Sequence, residues 1–213
     1  MGENSVRDLL RGGSRPTREA FARTGDAVLV ALTAYPFLVD SLIDSGLSSH
    51  DWTQATQFSL IAGQSFLMTL LLRSLSKVAI GRDRPFQQEC GANPSYDSEC
   101  NTPESRNSFF SGHAAFAFTG AGLICSAHEK GVLAGGSAPC YVSLGLATFV
   151  ALTRVIADKH YLSDTVVGAG IGLVSGYLIP RWINYGSSSS NQALSITPMV
   201  AREGMKLYLA FPL

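Results

Sequence analysis

Charge is scarce along this chain. Asp, Glu, Lys and Arg make up 15% of it, and 16 basic residues face 16 acidic ones, so the formal net charge is zero. With no basic stripe and no aromatics interleaved among its cations, the chain is not built to follow a nucleic-acid backbone. A Gly-rich loop ending in Lys-Ser or Lys-Thr is missing, which excludes a P-loop nucleotide site, and so is any cysteine-histidine finger. No internal repeat or heptad stands out. The apolar runs lack period-two alternation, which excludes half-buried strands as their structure.

What is present is apolar. Hydrophobic residues form 46% of the chain, and mean hydropathy is mildly positive. Uncharged runs recur from Ala27 to Val39, Trp52 to Leu72, Asn107 to Ala127, Gly131 to Thr153 and Thr165 to Pro180. They predict an all-α protein, a helical bundle of about five core helices. Gly120, Gly122, Gly145, Gly168, Gly170, Gly172 and Gly176 allow close helix contacts of the membrane kind. Three runs are long enough for the hydrocarbon core, and the bundle is read as membrane-embedded, a soluble periplasmic protein being the alternative. The organisation expected is a polar Arg-rich segment over 1–24, a helical core over 25–185, and a linker and tail over 186–213. In the tail, Ser187 to Ser190 reads as a flexible linker, and Ile196 to Leu213 as a short strand or surface extension.

Three polar clusters stand at the edges of these runs: Lys77 with Arg84-Pro85, then Ser111-Gly112-His113, then Arg154 with His160 and Asp164. Lysine and two arginines supply fixed charge and forked donors for a tetrahedral oxyanion, while two histidines and a carboxylate suit the making and breaking of a P–O bond. Taken singly, each cluster has an ordinary reading as a loop, a turn or a helix-surface pair. Their joint occurrence beside apolar segments is different, because burying so many charges without a partner is costly. His160 and Asp164 are four apart, so on a helix they share a face.

In this spacing the chain resembles the type 2 phosphatidic acid phosphatase family, which shares its phosphate site with vanadium haloperoxidases and bacterial non-specific acid phosphatases. The resemblance runs from about Lys77 to Asp164 and departs from the family pattern at Phe110, usually Pro, and Thr153, usually Ser. It implies a helical bundle with a phosphate site at one end. His160 would attack phosphorus, Asp164 would hold the other ring nitrogen of His160, and His113 would protonate the leaving oxygen and then activate water. Lys77, Arg84, Arg154, Ser111 and Gly112 would bind the phosphate, with no metal and no cofactor. The implied activity is hydrolysis of a phosphomonoester or diphosphate of a lipid or isoprenoid, at a bilayer and without nucleic acid. Two other readings share the pocket: a vanadate-dependent haloperoxidase, and a membrane protein that binds phospholipid without turning it over.

The remaining ionisable groups are read as structural. His50 and His128 are taken as surface histidines, Asp26, Asp40 and Asp44 as markers of the ends of an apolar run, and Asp83 as an ion-pair partner of Arg82 or a loop cap. The long segment from Arg82 to Asn107 is read as a roof over the site. Topology signals conflict. Arg7, Arg11, Arg15, Arg18 and Arg23 favour the cytoplasm for the site end. The resemblance places that end in the periplasm of a bacterial-type inner membrane, where Cys90 with Cys100, beside the site, could form a disulfide or remain free thiols; Cys125 and Cys140 flank the opposite turn and could also pair, which fits a wholly periplasmic protein better than a membrane-spanning one. The first apolar run follows two dozen polar residues, so no signal peptide is read, and the start is taken as that of a processed or trimmed chain.

Overall fold

The computed structural model describes residues 2–129, 133 and 135–183, together with the backbone of 195–201 and 204–210. A short helix α1 (Glu3–Leu10) precedes α2 (Arg15–Tyr35), which starts where Ser14 Oγ accepts the Thr17 amide at 3.3 Å. Pro36 has no amide hydrogen for the helical ladder, and from there α2 widens into π-helical turns over Pro36–Ser48. Asp51 caps the 29-residue helix α3 (Trp52–Ile80) by accepting the Gln54 amide at 2.9 Å, and Gly81 ends it in a left-handed conformation at φ +57°.

A long connection follows, holding only the turn-length α4 (Gln87–Cys90) and a 3₁₀ turn at Pro103–Arg106. Then come α5 (Gly112–Glu129), α6 (Ala138–Ile156) and α7 (Leu162–Leu173). Helix α7 continues through a π-helical turn, Val174–Leu178, into α8 (Ile179–Ile183).

Helix α5 is the axis of the bundle and packs on α2, α3, α6 and α7. Its Ala114, Ala115, Ala117 and Ala121 are fully buried, so neighbours come close to its backbone. Glycines at four-residue intervals make the α7 contact: a Cβ on Gly168 would stand 2.6 Å from the Ser111 carbonyl oxygen, and one on Gly172 would stand 2.3 Å from that of Ala115. A Cβ on Gly176 would similarly meet the Thr119 carbonyl at 2.1 Å. Gly145 and Gly170, expected to help in the same way, have open space around them. The outer surface is apolar, with Leu67, Leu71, Leu75 and Val78 of α3 exposed along one side. Four helical stretches (Arg15–Ser48, Trp52–Ile80, Ala138–Ile156 and Leu162–Ile183) are long and apolar enough to cross a membrane.

The expected bundle is therefore present, with different edges. The boundary between 24 and 25 falls inside α2, because the arginines there are satisfied within the fold. Arg7 is buried and grips Asp158 bidentately, Nε to Oδ1 and Nη2 to Oδ2, both at 2.7 Å. Arg18 donates to the Gly12 and Tyr96 carbonyls and lies 3.9 Å above the Tyr96 ring. In the tail, β1 (Ser195–Ala201) pairs antiparallel with β2 (Gly204–Ala210), from Ser195 opposite Ala210 to Ala201 opposite Gly204. The expected linker at Ser187–Ser190 lies outside the described residues. Both cysteine pairs are bonded, Cys90 to Cys100 and Cys125 to Cys140.

Candidate active site

One end of the bundle gathers the N-terminus of α5, the C-terminus of α6 and the turn into α7. There a polar cavity of about 560 Å³ is lined by His113, Arg154, His160 and Arg84, with Asp26 and Ala22 from α2. The long connection supplies Asp97, Ser98 and Glu99 to the same wall, which is the roofing position expected of it. This segment is fastened down: Lys159 Nζ meets Asp97 at 2.7 Å and Glu99 at 3.1 Å, and Arg15 donates to the Ser95 carbonyl at 2.9 Å.

His160 is 4% exposed, and its Nδ1 lies 2.7 Å from the Ser108 carbonyl oxygen. A carbonyl only accepts, so Nδ1 carries the hydrogen and Nε2 keeps its lone pair. Burial, reinforced by the positive charge of Arg84, holds the imidazole well below its ordinary pKa, so at neutral pH it is the uncharged ring.

This geometry corrects the role expected of Asp164. Its nearest approach to His160 Nδ1 is 3.9 Å, beyond a hydrogen bond. Its fully buried carboxylate instead accepts from Ser108 Oγ at 2.5 Å, Arg82 Nη1 at 2.6 Å and the Tyr161 amide at 3.1 Å. Asp164 therefore caps α7 and fixes Ser108, whose carbonyl in turn orients the imidazole. Helical four-residue spacing does not bring the two together because the helix begins only at Leu162, leaving His160 on the preceding turn.

The phosphate-binding residues divide. Arg84 and Arg154 stand on the cavity wall, and each has a buried Nε with no hydrogen-bond partner. Arg84 Nη1 contacts Glu99 at 2.5 Å, and Arg154 Nη2 donates to the Ala22 carbonyl. Lys77, Ser111 and Gly112 do not line the cavity. Ser111 is fully buried, its Oγ 3.4 Å from the Ala114 amide, where it caps α5. A Cβ on Gly112 would meet Arg73 Nε at 2.3 Å, so Arg73 covers the start of α5, and Lys77 lies one turn beyond Arg73 on α3.

The two departures from the family pattern are accommodated in the packing. Phe110 is buried, and the chain enters α5 through the Ser111 amide bonded to the Asp164 carbonyl at 3.0 Å. Thr153 is fully buried with its hydroxyl on the Val150 carbonyl at 2.7 Å.

Several residues read as structural prove otherwise placed. Asp26, taken as the end of an apolar run, meets both His113 Nε2 at 3.1 Å and Arg154 Nη1 at 3.0 Å. His128 is not a surface histidine but is 3% exposed, with Nε2 3.2 Å from Asp40. Arg82 pairs with Asp164 and Glu3, while Asp83 is exposed. His50 is exposed as expected.

Fold and site thus define a helical bundle with a histidine pair and two arginines around one polar cavity at its end. A family model described as PAP2 superfamily matches residues 58–187, more than half of the chain, and the chain belongs to that superfamily. A PA-phosphatase related-family protein of Dictyostelium discoideum is 29% identical over 170 residues, covering 74% of this chain; the chain spans only 60% of that curated relative's length. Among solved structures, LpxE of Aquifex aeolicus superposes with a TM-score of 0.53 over 81% of this chain and 90% of its own. At 18% identity, that likeness speaks to the fold.

Proposed function

We propose that this protein is a phosphatase that hydrolyses a phosphomonoester or diphosphate of a lipid or isoprenoid through a phosphohistidine on His160, with chemistry that needs no metal. The observation that carries the reading is the buried His160 ring, whose Nδ1 is tied to the Ser108 carbonyl and whose lone pair is thereby confined to Nε2, on a cavity shared with His113, Arg84 and Arg154. The superfamily membership and the PA-phosphatase name of the Dictyostelium relative support the phosphatase class. The apolar outer face supports a substrate that reaches the site from a bilayer.

In the first step the Nε2 lone pair attacks phosphorus, and the P–O bond to the leaving group breaks. The leaving oxygen keeps that electron pair and takes a proton from His113. In the second step His113 removes a proton from water, whose oxygen attacks phosphorus while the P–N bond returns its pair to Nε2. Phosphate departs and His113 is again protonated. The guanidinium groups of Arg84 and Arg154 stabilise the equatorial oxygens as phosphorus becomes five-coordinate. The site end is proposed to face the periplasm of a bacterial-type inner membrane, a placement that suits the Cys90–Cys100 bond beside the cavity.

The test is phosphate release from a panel of phosphorylated lipids and soluble phosphate esters, in detergent with chelator present, beside His160→Ala. Turnover should survive chelation and fall by about a thousandfold or more in the variant. An alkali-quenched reaction should also trap phosphate on the wild-type chain alone. Binding of phospholipid without release, unchanged by His160→Ala, would replace catalysis with simple recognition.

A further inference from the structure

The cavity wall presents an electrostatic problem to any general acid. His113 must hold a proton to release an alkoxide, yet α3 brings Arg73 and Lys77 to this end of the bundle, the long connection brings Arg84, and α6 brings Arg154. The neighbouring His160 adds no negative charge. Among the described residues, one carboxylate reaches the His113 ring: Asp26 of α2, with Oδ1 3.1 Å from Nε2. The same oxygen lies 3.0 Å from Arg154 Nη1. Asp26 is therefore bound to the acid and to a phosphate clamp at once, and as a cavity-lining side chain it is itself about half exposed.

Local structure reinforces the placement. Gly25 precedes Asp26, and a Cβ there would stand 2.1 Å from Thr153 Oγ1 and 2.7 Å from Arg154 Nη2. Only a glycine lets α2 approach α6 closely enough for Asp26 to reach both partners. The Arg154–Ala22 carbonyl bond fixes the same approach from the other side.

We propose that Asp26 is a positioning residue for His113. Its carboxylate offsets part of the pressure that burial and the surrounding cations put on the imidazole proton and aims the ring across the cavity, while holding Arg154 ready for the phosphate. The inference rests on the phosphatase reading and adds a residue that belongs to none of the three motif clusters. Its counter-ion role predicts a dependence on the leaving group. A lipid alkoxide cannot leave without a proton, whereas a nitrophenolate can, so loss of a protonated His113 is felt by the first and not the second.

The experiment compares wild type, Asp26→Asn and Asp26→Glu on an alkyl phosphate and on p-nitrophenyl phosphate across pH, beside a histidine NMR titration of each protein in detergent, with His113 assigned by its loss in His113→Asn. Asp26→Asn should lower kcat on the alkyl ester by about a hundredfold and on the nitrophenyl ester by less than about fivefold. The basic limb of its kcat profile should move down by about one pH unit, as should the His113 titration, and Asp26→Glu should restore both in part. Equal losses on both esters with an unmoved profile would overturn the proposal and leave Asp26 an anchor for Arg154. An unchanged His113 titration would overturn it as well. If the wild type hydrolyses neither ester, the phosphatase reading fails, while the titration still decides whether Asp26 governs His113.

Discussion

The nucleophile, on this reading, is oriented by a backbone atom. His160 donates to the Ser108 carbonyl, and Asp164 acts on it only through the Ser108 hydroxyl and the start of α7. Ser108→Ala should therefore lower kcat about tenfold, the lower end of what losing one charge-assisted hydrogen bond costs, at roughly 1.5–3 kcal/mol. Asp164→Asn should cost at least as much, because it removes the charge that pairs with Arg82 and leaves one acceptor oxygen where Arg82 uses Oδ1 and Ser108 and the Tyr161 amide use Oδ2. The double variant should be no worse than Asp164→Asn alone, since both act through one bond. Steady-state kinetics on the four proteins checks this, and strictly additive losses would mean that Asp164 reaches His160 directly. The sequence shows the histidines and arginines because catalysis restricts residue type at fixed spacing. It does not show Ser108, whose contribution is a carbonyl that any residue carries, nor Asp26, whose partners lie 87 and 128 positions away by number, at His113 and Arg154. Arg73 stayed hidden likewise, as one cation in an apolar helix with no spacing to mark its contact with Gly112.

At the level of elements, the apolar runs give the existence of the five long helices but not their edges. Charge bounds each uncharged run, but it does not bound α2, where buried Arg18 is satisfied by the Gly12 and Tyr96 carbonyls and the helix runs from Arg15. Helix α1 was unreadable for the same reason. Its anchor is the Arg7–Asp158 pair, between residues 151 positions apart, and through Asp158 it braces the turn that carries His160. Glycine content pointed correctly to close packing but not to which glycines do it. Gly172→Ala forces a Cβ to within 2.3 Å of the Ala115 carbonyl, with Phe118 Cβ at 2.8 Å and the Thr119 amide nitrogen at 2.9 Å, so α5 and α7 must separate. Overpacking of this kind costs about 1–3 kcal/mol. Gly170→Ala, two residues earlier in the same helix, meets nothing within 4 Å and gains helix propensity of about 0.8–1 kcal/mol. Thermal unfolding in detergent should show a lower midpoint for the first variant and an equal or higher one for the second. The reverse order would show that α7 does not pack on α5 through this glycine row.

For the whole molecule, the arginine-rich N-terminus and the cysteines of the cavity end give opposite expectations for the side on which that end lies. Arg7 is neutralised by Asp158, Arg11 meets Glu89 at 2.6 Å, and Arg15 meets Glu19 at 2.7 Å. These arginines hold α1 and α2 onto the loops around the cavity and form part of an ion-paired cap. The Cys90–Cys100 bond lies in that same cap, in the segment that walls the cavity. Disulfides persist on the oxidising side of a membrane, so the Cys90–Cys100 bond favours the proposed placement of the cap outside the cytoplasm, whereas the Cys125–Cys140 bond, at the far end of α5, makes the same demand of the opposite face. The turn between the π-helical segment and α3, at Ser48 to Trp52, then lies at the opposite face, one helix length away. All four cysteines are in disulfides, so a cysteine introduced at exposed Ala92 or exposed Ser48 is a unique label site. In intact cells a membrane-impermeant maleimide should modify Ala92→Cys, whereas Ser48→Cys should react only after the membrane is permeabilised. The opposite pattern would turn the bundle over and place the cavity in the cytoplasm. Labelling of both sites in intact spheroplasts would mean that the apolar outer face does not sit in a bilayer at all.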